Sequence, residues 1–199
     1  VKSAPLSPET RARILEAAWS HVVARGSVDI SLSEIARAAG ISRQTVYLGF
    51  GNRTGLMIAM ARHADDQSAH VRQMREIVAG TGDDPATLAA FTEAWLRHLP
   101  EIYPVGVLLG AAAVTDPEAA EVFADRMVGG LLAGYRTILG RLAAAGRLAP
   151  GWTPDTAADL AWSLTHVDAW RHLVVERGWA PGAFAANRIA LIRAALIAP

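Results

Sequence analysis

Residues 31–50, SLSEIARAAGISRQTVYLGF, constrain this chain most, because the start, stop and restart signals for two helices fall within one short stretch. Ser31 opens an S-x-x-E capping box with Glu34, which predicts a helix start. Leu32, Ile35, Ala36 and Ala39 keep one face apolar at helical spacing. Gly40 can take the left-handed conformation that ends a helix, and Ile41 turns back inward. Ser42 then caps a second helix with Val46, Tyr47 and Phe50 on its expected buried side and Arg43, Gln44 and Thr45 outside. Two short helices joined by a tight turn make a helix-turn-helix, and the second is suited to a DNA major groove.

The remaining sequence predicts an all-α fold of about nine helices. Strand-like alternation is missing, and alanine and leucine dominate between breakers. Ser7–Pro8 reads as a cap with proline at the first helical position, opening a helix that Gly26 ends. Asn52 caps a helix expected to reach about Ala79. Pro85 opens another, ending near Pro100, and a short apolar helix covers 101–114. Asp116–Pro117 start a long helix to about Ala145, with Phe123, Met127, Leu131, Tyr135, Ile138 and Leu142 on one side. Pro154 opens a helix to about Arg177, and a last one begins at Ala183. The expected division is a three-helix head over 1–52 and a larger body over 53–199.

Bulk properties narrow the function classes. Hydrophobic residues make up 52 % of the 199, yet no apolar run reaches the roughly 18 residues of a membrane span, so no membrane partner is expected. The opening VKSAPLSPET does not read as a signal peptide. Cysteine is absent, which excludes disulfides and thiol catalysis and fits a cytoplasmic protein. Net charge is zero but uneven. Through Arg53, seven basic residues face four acidic ones, and the remainder is correspondingly acidic. A basic head on an acidic body fits a molecule that meets phosphate at one end.

Specific side chains follow from the second helix. Arg43 suits a guanine edge or a phosphate, Gln44 an adenine, and the Thr45 methyl a thymine. Ser31, Ser33, Ser42, Tyr47 and Arg53 suit phosphates, several of them at helix starts where backbone N–H groups favour anions. The alternative for this face is simple solvation. In the body, Trp95, His98, Tyr103, Met127, Tyr135, Trp162, Thr165 and His166 lie on apolar stripes and combine bulk with single polar atoms. That lining suits a mostly apolar small ligand, and ordinary core packing is the alternative. His63, Asp66 and His70 share a predicted helix face, but without a second converging helix a solvated face is the better reading than a metal site. Catalytic motifs and resident cofactors find no support.

In order and spacing, these elements resemble the tetracycline-repressor (TetR) family of bacterial regulators. The resemblance rests on R-x-x-I-L-x-A-A at Arg11–Ala18, S-x-x-E-I-A-x-x-A-G at Ser31–Gly40, I-S-R-Q-T-V-Y at Ile41–Tyr47, Phe50, and the N-R-x-x-L at Asn52. It implies the DNA contacts named above, a homodimer on a palindromic operator, and a small-molecule effector in the body whose binding shifts the helix begun at Arg53. Trp170–Trp179 looks like the start of a dimerising helix hairpin, for which Leu164, Val167, Leu173, Ile189, Ile192 and Leu196 are the candidate apolar surface. Leu48 and Gly49 depart from the pattern, which usually carries a larger polar or aromatic residue there. Gly49 costs about 1 kcal/mol of helix propensity. The rival reading is a DNA-binding structural protein that senses no ligand.

Overall fold

The computed structural model describes residues 6–198; the first residues of the expected N-terminal tail lie outside that range. Its helices are α1 (Pro8–Arg25), α2 (Leu32–Ala38), α3 (Arg43–Phe50), α4 (Arg53–Gln67), α5 (Ala69–Ala79), α6 (Pro85–Ala112), α7 (Pro117–Phe123), α8 (Gly130–Ala144), α9 (Pro154–Leu164), α10 (Val167–Trp170) and α11 (Pro181–Leu196). Turns of π-helix occupy Ala124–Gly129 and Arg171–Glu176. Among the described residues there is no strand, only an isolated bridge between Leu148 and Ile197. No helix among them is long and apolar enough to cross a membrane.

The chain forms two compact units. One holds residues 1–67 and 104–126, the other 68–103 and 127–199. In the first, Ile14, Leu15, Ala18 and Val22 of α1 meet Ile35, Val46, Phe50, Leu56, Met57 and Met60, with Leu109 and Val122 in the same core. Burying each large aliphatic side chain contributes roughly 1.5–3 kcal/mol, so this apolar centre fixes the helix-turn-helix without help from its polar face. The Arg11 guanidinium lies 4.7 Å from the centre of the Phe50 ring, tying α1 to the end of α3.

The second unit is built around α8 and α9, with Tyr135, Ile138, Leu139 and Leu142 fully buried beside Ala157, Ala158 and Ala161. Gly134 permits this packing, since a β-carbon there would stand 2.4 Å from the Phe91 ring. Phe91 and Tyr135 meet edge to face, with centroids 5.0 Å apart.

Three boundaries differ from expectation. The helix from Asn52 stops at Gln67, because Ser68 is extended (ψ 125°) and its buried hydroxyl donates to Glu101 at 3.1 Å. That break ends the register that placed His70 on one face with His63 and Asp66. Conversely, α6 runs through Pro100 and Pro104. Each proline forfeits one helical hydrogen bond, while Leu96, Leu99, Ile102 and Val105 bury the inner side of the helix around them. The helix from Pro154 ends at Leu164, and Thr165 and His166 separate it from α10.

Candidate nucleic-acid interface

Side-chain caps set the start of each helix in the turn motif. The Ser31 hydroxyl accepts the Glu34 N–H at 3.1 Å, and the Glu34 carboxylate accepts the Ser31 N–H at 3.0 Å. Arg25 donates to the same carboxylate at 2.8 Å. Hydrogen bonding by the Ser31 backbone, aided by its hydroxyl and by Arg25, holds the Glu34 carboxyl at about 2 rather than the ordinary 4.5. Gly40 adopts φ 66° between the helices, and the Ile41 N–H returns to the Ala36 carbonyl at 2.9 Å. Ser42 caps α3 by accepting the Thr45 N–H at 3.0 Å, and its hydroxyl lies 2.7 Å from that of Thr45.

A folded-state pKa below the unfolded value adds stability that is complete above pH 4.5 and lost as pH falls toward about 2. Glu34→Gln keeps an amide oxygen for the cap but removes the titration. Circular dichroism melts should show the variant losing less stability than the parent between pH 4.5 and 2; parallel pH profiles would contradict this role for Glu34.

With its ends fixed, α3 buries Val46 and Phe50 and turns Arg43, Gln44, Tyr47 and Leu48 outward. Arg43 and Gln44 have no hydrogen-bond partner among the described residues, so both are available to a ligand. The Thr45 hydroxyl lies against that of Ser42, and the Thr45 methyl is the group suited to an apolar base contact. Ser31, Ser33 and Ser42 are exposed near the same helix starts.

Two expectations need correction. Tyr47 is not on the buried side of α3: it is 60 % exposed, because Val46 and Phe50 fill that side alone. Arg53 is not a free phosphate ligand. Its guanidinium donates to Asp116 and, at 2.9 Å, to Glu118, with Asp29 at 3.8 Å. Three carboxylates therefore hold the cation that was expected to face DNA. Sequence offered no signal for this, since Asp116 and Glu118 lie more than 60 positions downstream.

Gly49 has a local explanation. A β-carbon there would stand 2.2 Å from the end of the Leu6 side chain, so the glycine accommodates the segment leading into α1. Gly55 is more tightly required. Its β-carbon would lie 2.2 Å from the Phe50 carbonyl oxygen, where the α3–α4 turn closes and Asn52 accepts the Gly55 N–H at 2.8 Å.

Residues 14–60 match the model of "Bacterial regulatory proteins, tetR family". The chain is 30 % identical over 155 residues to the HTH-type transcriptional repressor LfrR of Mycolicibacterium smegmatis, spanning 78 % of this chain and 75 % of that protein. The chain belongs to the TetR family. It is accordingly a DNA-binding transcriptional regulator and not an enzyme. The TetR fold extends along nearly all its length. NalD, the secondary repressor of the MexAB-OprM multidrug efflux pump in Pseudomonas aeruginosa, superposes with a TM-score of 0.71 at 24 % identity, covering 95 % of this chain and 96 % of NalD. The triclosan complex of SmeT, repressor of the Stenotrophomonas maltophilia pump SmeDEF, superposes with a TM-score of 0.72 at 18 % identity, covering 96 % and 92 %.

In this TetR-family chain, the residues expected to line an effector pocket all fall in the second unit. Trp95, His98, Met127, Tyr135 and Thr165 are buried; Tyr103, Trp162 and His166 are partly so. Their polar atoms are largely bonded within the protein. Trp95 Nε1 donates to the Thr165 carbonyl and Trp162 Nε1 to the Met127 carbonyl, both at 2.9 Å. The Tyr135 hydroxyl sits 3.3 Å from those of Thr92 and Thr165, and burial pushes its pKa up to about 12. His98 Nδ1 meets Glu101 at 2.8 Å, while burial holds the imidazole below its ordinary pKa against the pull of that carboxylate.

Of the residues expected on a dimer surface, Val167, Ile192 and Leu196 are instead buried in the chain's own core. The helical period alone could not separate a helix's inward stripe from a surface stripe. Leu164, Leu173 and Ile189 remain partly exposed.

Proposed function

We propose that this TetR-family chain is a cytoplasmic, dimeric repressor that occupies a palindromic operator and leaves it when a small, mostly apolar molecule binds its body. Residues 1–52 would supply the reading head and 53–199 the sensing and dimerising part. The observation that carries the reading is the outward face of α3, where Arg43 and Gln44 stand exposed beside Thr45 and Tyr47 on a helix capped at its start. Ser31, Ser33 and Ser42 would hold phosphates, and two copies of α3 would enter major grooves about one helical turn, ~34–36 Å, apart. Exposed Val175, Trp179 and Leu191, together with the partly exposed Leu164, Leu173 and Ile189, support a dimer contact along α9 to α11.

The effector part is supported by the triclosan held by SmeT and by the cluster around Tyr135. A ligand entering that cluster would exchange its own polar group for the Tyr135–Thr165 contact. A coupling of about 2 kcal/mol, some tens-fold preference for the DNA-incompetent state, suffices to derepress substantially. One observation favours the rival structural protein: the same cluster is already packed and internally bonded. A duplex-release screen of apolar, hydrogen-bonding compounds tests the choice. Hits are expected to lose potency at least tenfold in Tyr135→Phe or His98→Leu. Hits indifferent to both substitutions would move the effector site elsewhere, and a chain that holds its duplex against the whole library would favour the rival.

A further inference from the structure

Leu48 stands on the reading helix outside the apolar core of its own unit. It is 57 % exposed, while Val46 and Phe50 take the buried side of α3 and Gly49 is covered by Leu6. Leu48 is thus the last side chain that α3 presents outward. It sits one helical turn after Gln44, on the same exposed face.

We infer that Leu48 is a base-reading residue, packing on the 5-methyl group of a thymine in the major groove. This rests on the proposal that α3 enters that groove. Leucine has no donor for phosphate, and among the base edges of the major groove the thymine methyl is the apolar partner on offer. Four residues along a helix advance ~6 Å, about two base-pair steps of ~3.4 Å. The thymine therefore lies one or two steps from the base that Gln44 meets. Burying the leucine against that methyl explains why a large aliphatic side chain is left in water in the free protein, on a face otherwise made of Arg43, Gln44 and Tyr47.

The test uses the full chain and the duplex it enriches from a random-sequence pool. Each thymine is replaced in turn by deoxyuridine, which removes only the methyl, and affinity is read by fluorescence anisotropy. Burial of one methyl, at about 0.8 kcal/mol, corresponds to about fourfold in affinity. One thymine position per half-site is expected to show that loss, about fifteenfold when both half-sites are changed. In Leu48→Ala the same replacement should change affinity less than about twofold, while its melting temperature matches the parent because the side chain is exposed. Full methyl sensitivity retained in Leu48→Ala, or no sensitive thymine in the parent, would overturn the assignment. If the parent enriches no duplex, the groove-reading proposal itself fails and the Leu48 assignment fails with it.

Discussion

Arg43→Ala is expected to weaken operator binding at least about thirtyfold while leaving helical content and melting temperature unchanged. A bidentate arginine–guanine contact contributes about 1–3 kcal/mol of discrimination, and a symmetric complex makes it twice. The resulting 2–6 kcal/mol is roughly thirtyfold to twenty-thousandfold in affinity. Folding is spared because Arg43 is exposed at the start of α3 and bonds nothing among the described residues. Arg43→Lys separates charge from geometry, since an ammonium keeps the attraction to phosphate but lacks the planar fork. If Arg43 reads a base, lysine should recover only part of the loss; full recovery would reassign Arg43 to phosphate. Anisotropy on a labelled duplex, with circular dichroism as the folding control, gives both readouts. Unchanged affinity in Arg43→Ala would remove the residue from the interface.

Gly55→Ala should damage the head through its backbone. The added carbon would stand 2.2 Å from the Phe50 carbonyl oxygen and 3.3 Å from its carbonyl carbon. Neither atom can swing aside as a side chain does, so the α3–α4 turn must open. Overpacking of this kind costs about 1–3 kcal/mol, and a head of this size loses about 4–8 °C of melting temperature per kcal/mol. DNA affinity should fall as well, since the same turn fixes the end of α3. Gly49→Ala is the matched control: its new carbon meets the movable end of Leu6, and the helix gains about 1 kcal/mol of propensity. Its stability should stay within about 1 kcal/mol of the parent. Equal stability of Gly55→Ala and the parent would show that the turn does not close against Gly55 as described.

The contrast between these glycines shows what the sequence could convey. Helix starts were legible because capping is local: Ser7, Ser31, Ser42 and Asn52 each bond a backbone N–H three residues on. Turns at Gly26 and Gly40 were legible for a similar reason, both adopting positive φ. The family resemblance added the order of these parts and the DNA-binding function. Contacts made over long separations were not legible. The Ser68 break is accompanied by a bond to Glu101, and Arg53 is claimed by Asp116 and Glu118. The outward placement of Arg43 and Gln44 on α3 was legible from helical spacing. Tyr47, expected both on the buried side of α3 and as a phosphate contact, has its ring exposed, because an aromatic ring at helical spacing looks the same whether it faces core or solvent. Val167, Ile192 and Leu196 failed in the opposite sense, as apolar stripes taken for an interface that the chain buries itself.

In the proposed function, paired α3 helices of a dimer read DNA. Its most direct test is to enrich duplexes from a random pool with the full chain, sequence them, and footprint the best binder. An inverted repeat is expected, with half-sites about one helical turn, ~34–36 Å, or slightly more apart, protected by two protomers through the major groove. Enrichment of a single unrepeated site, or of no sequence at all, would contradict it.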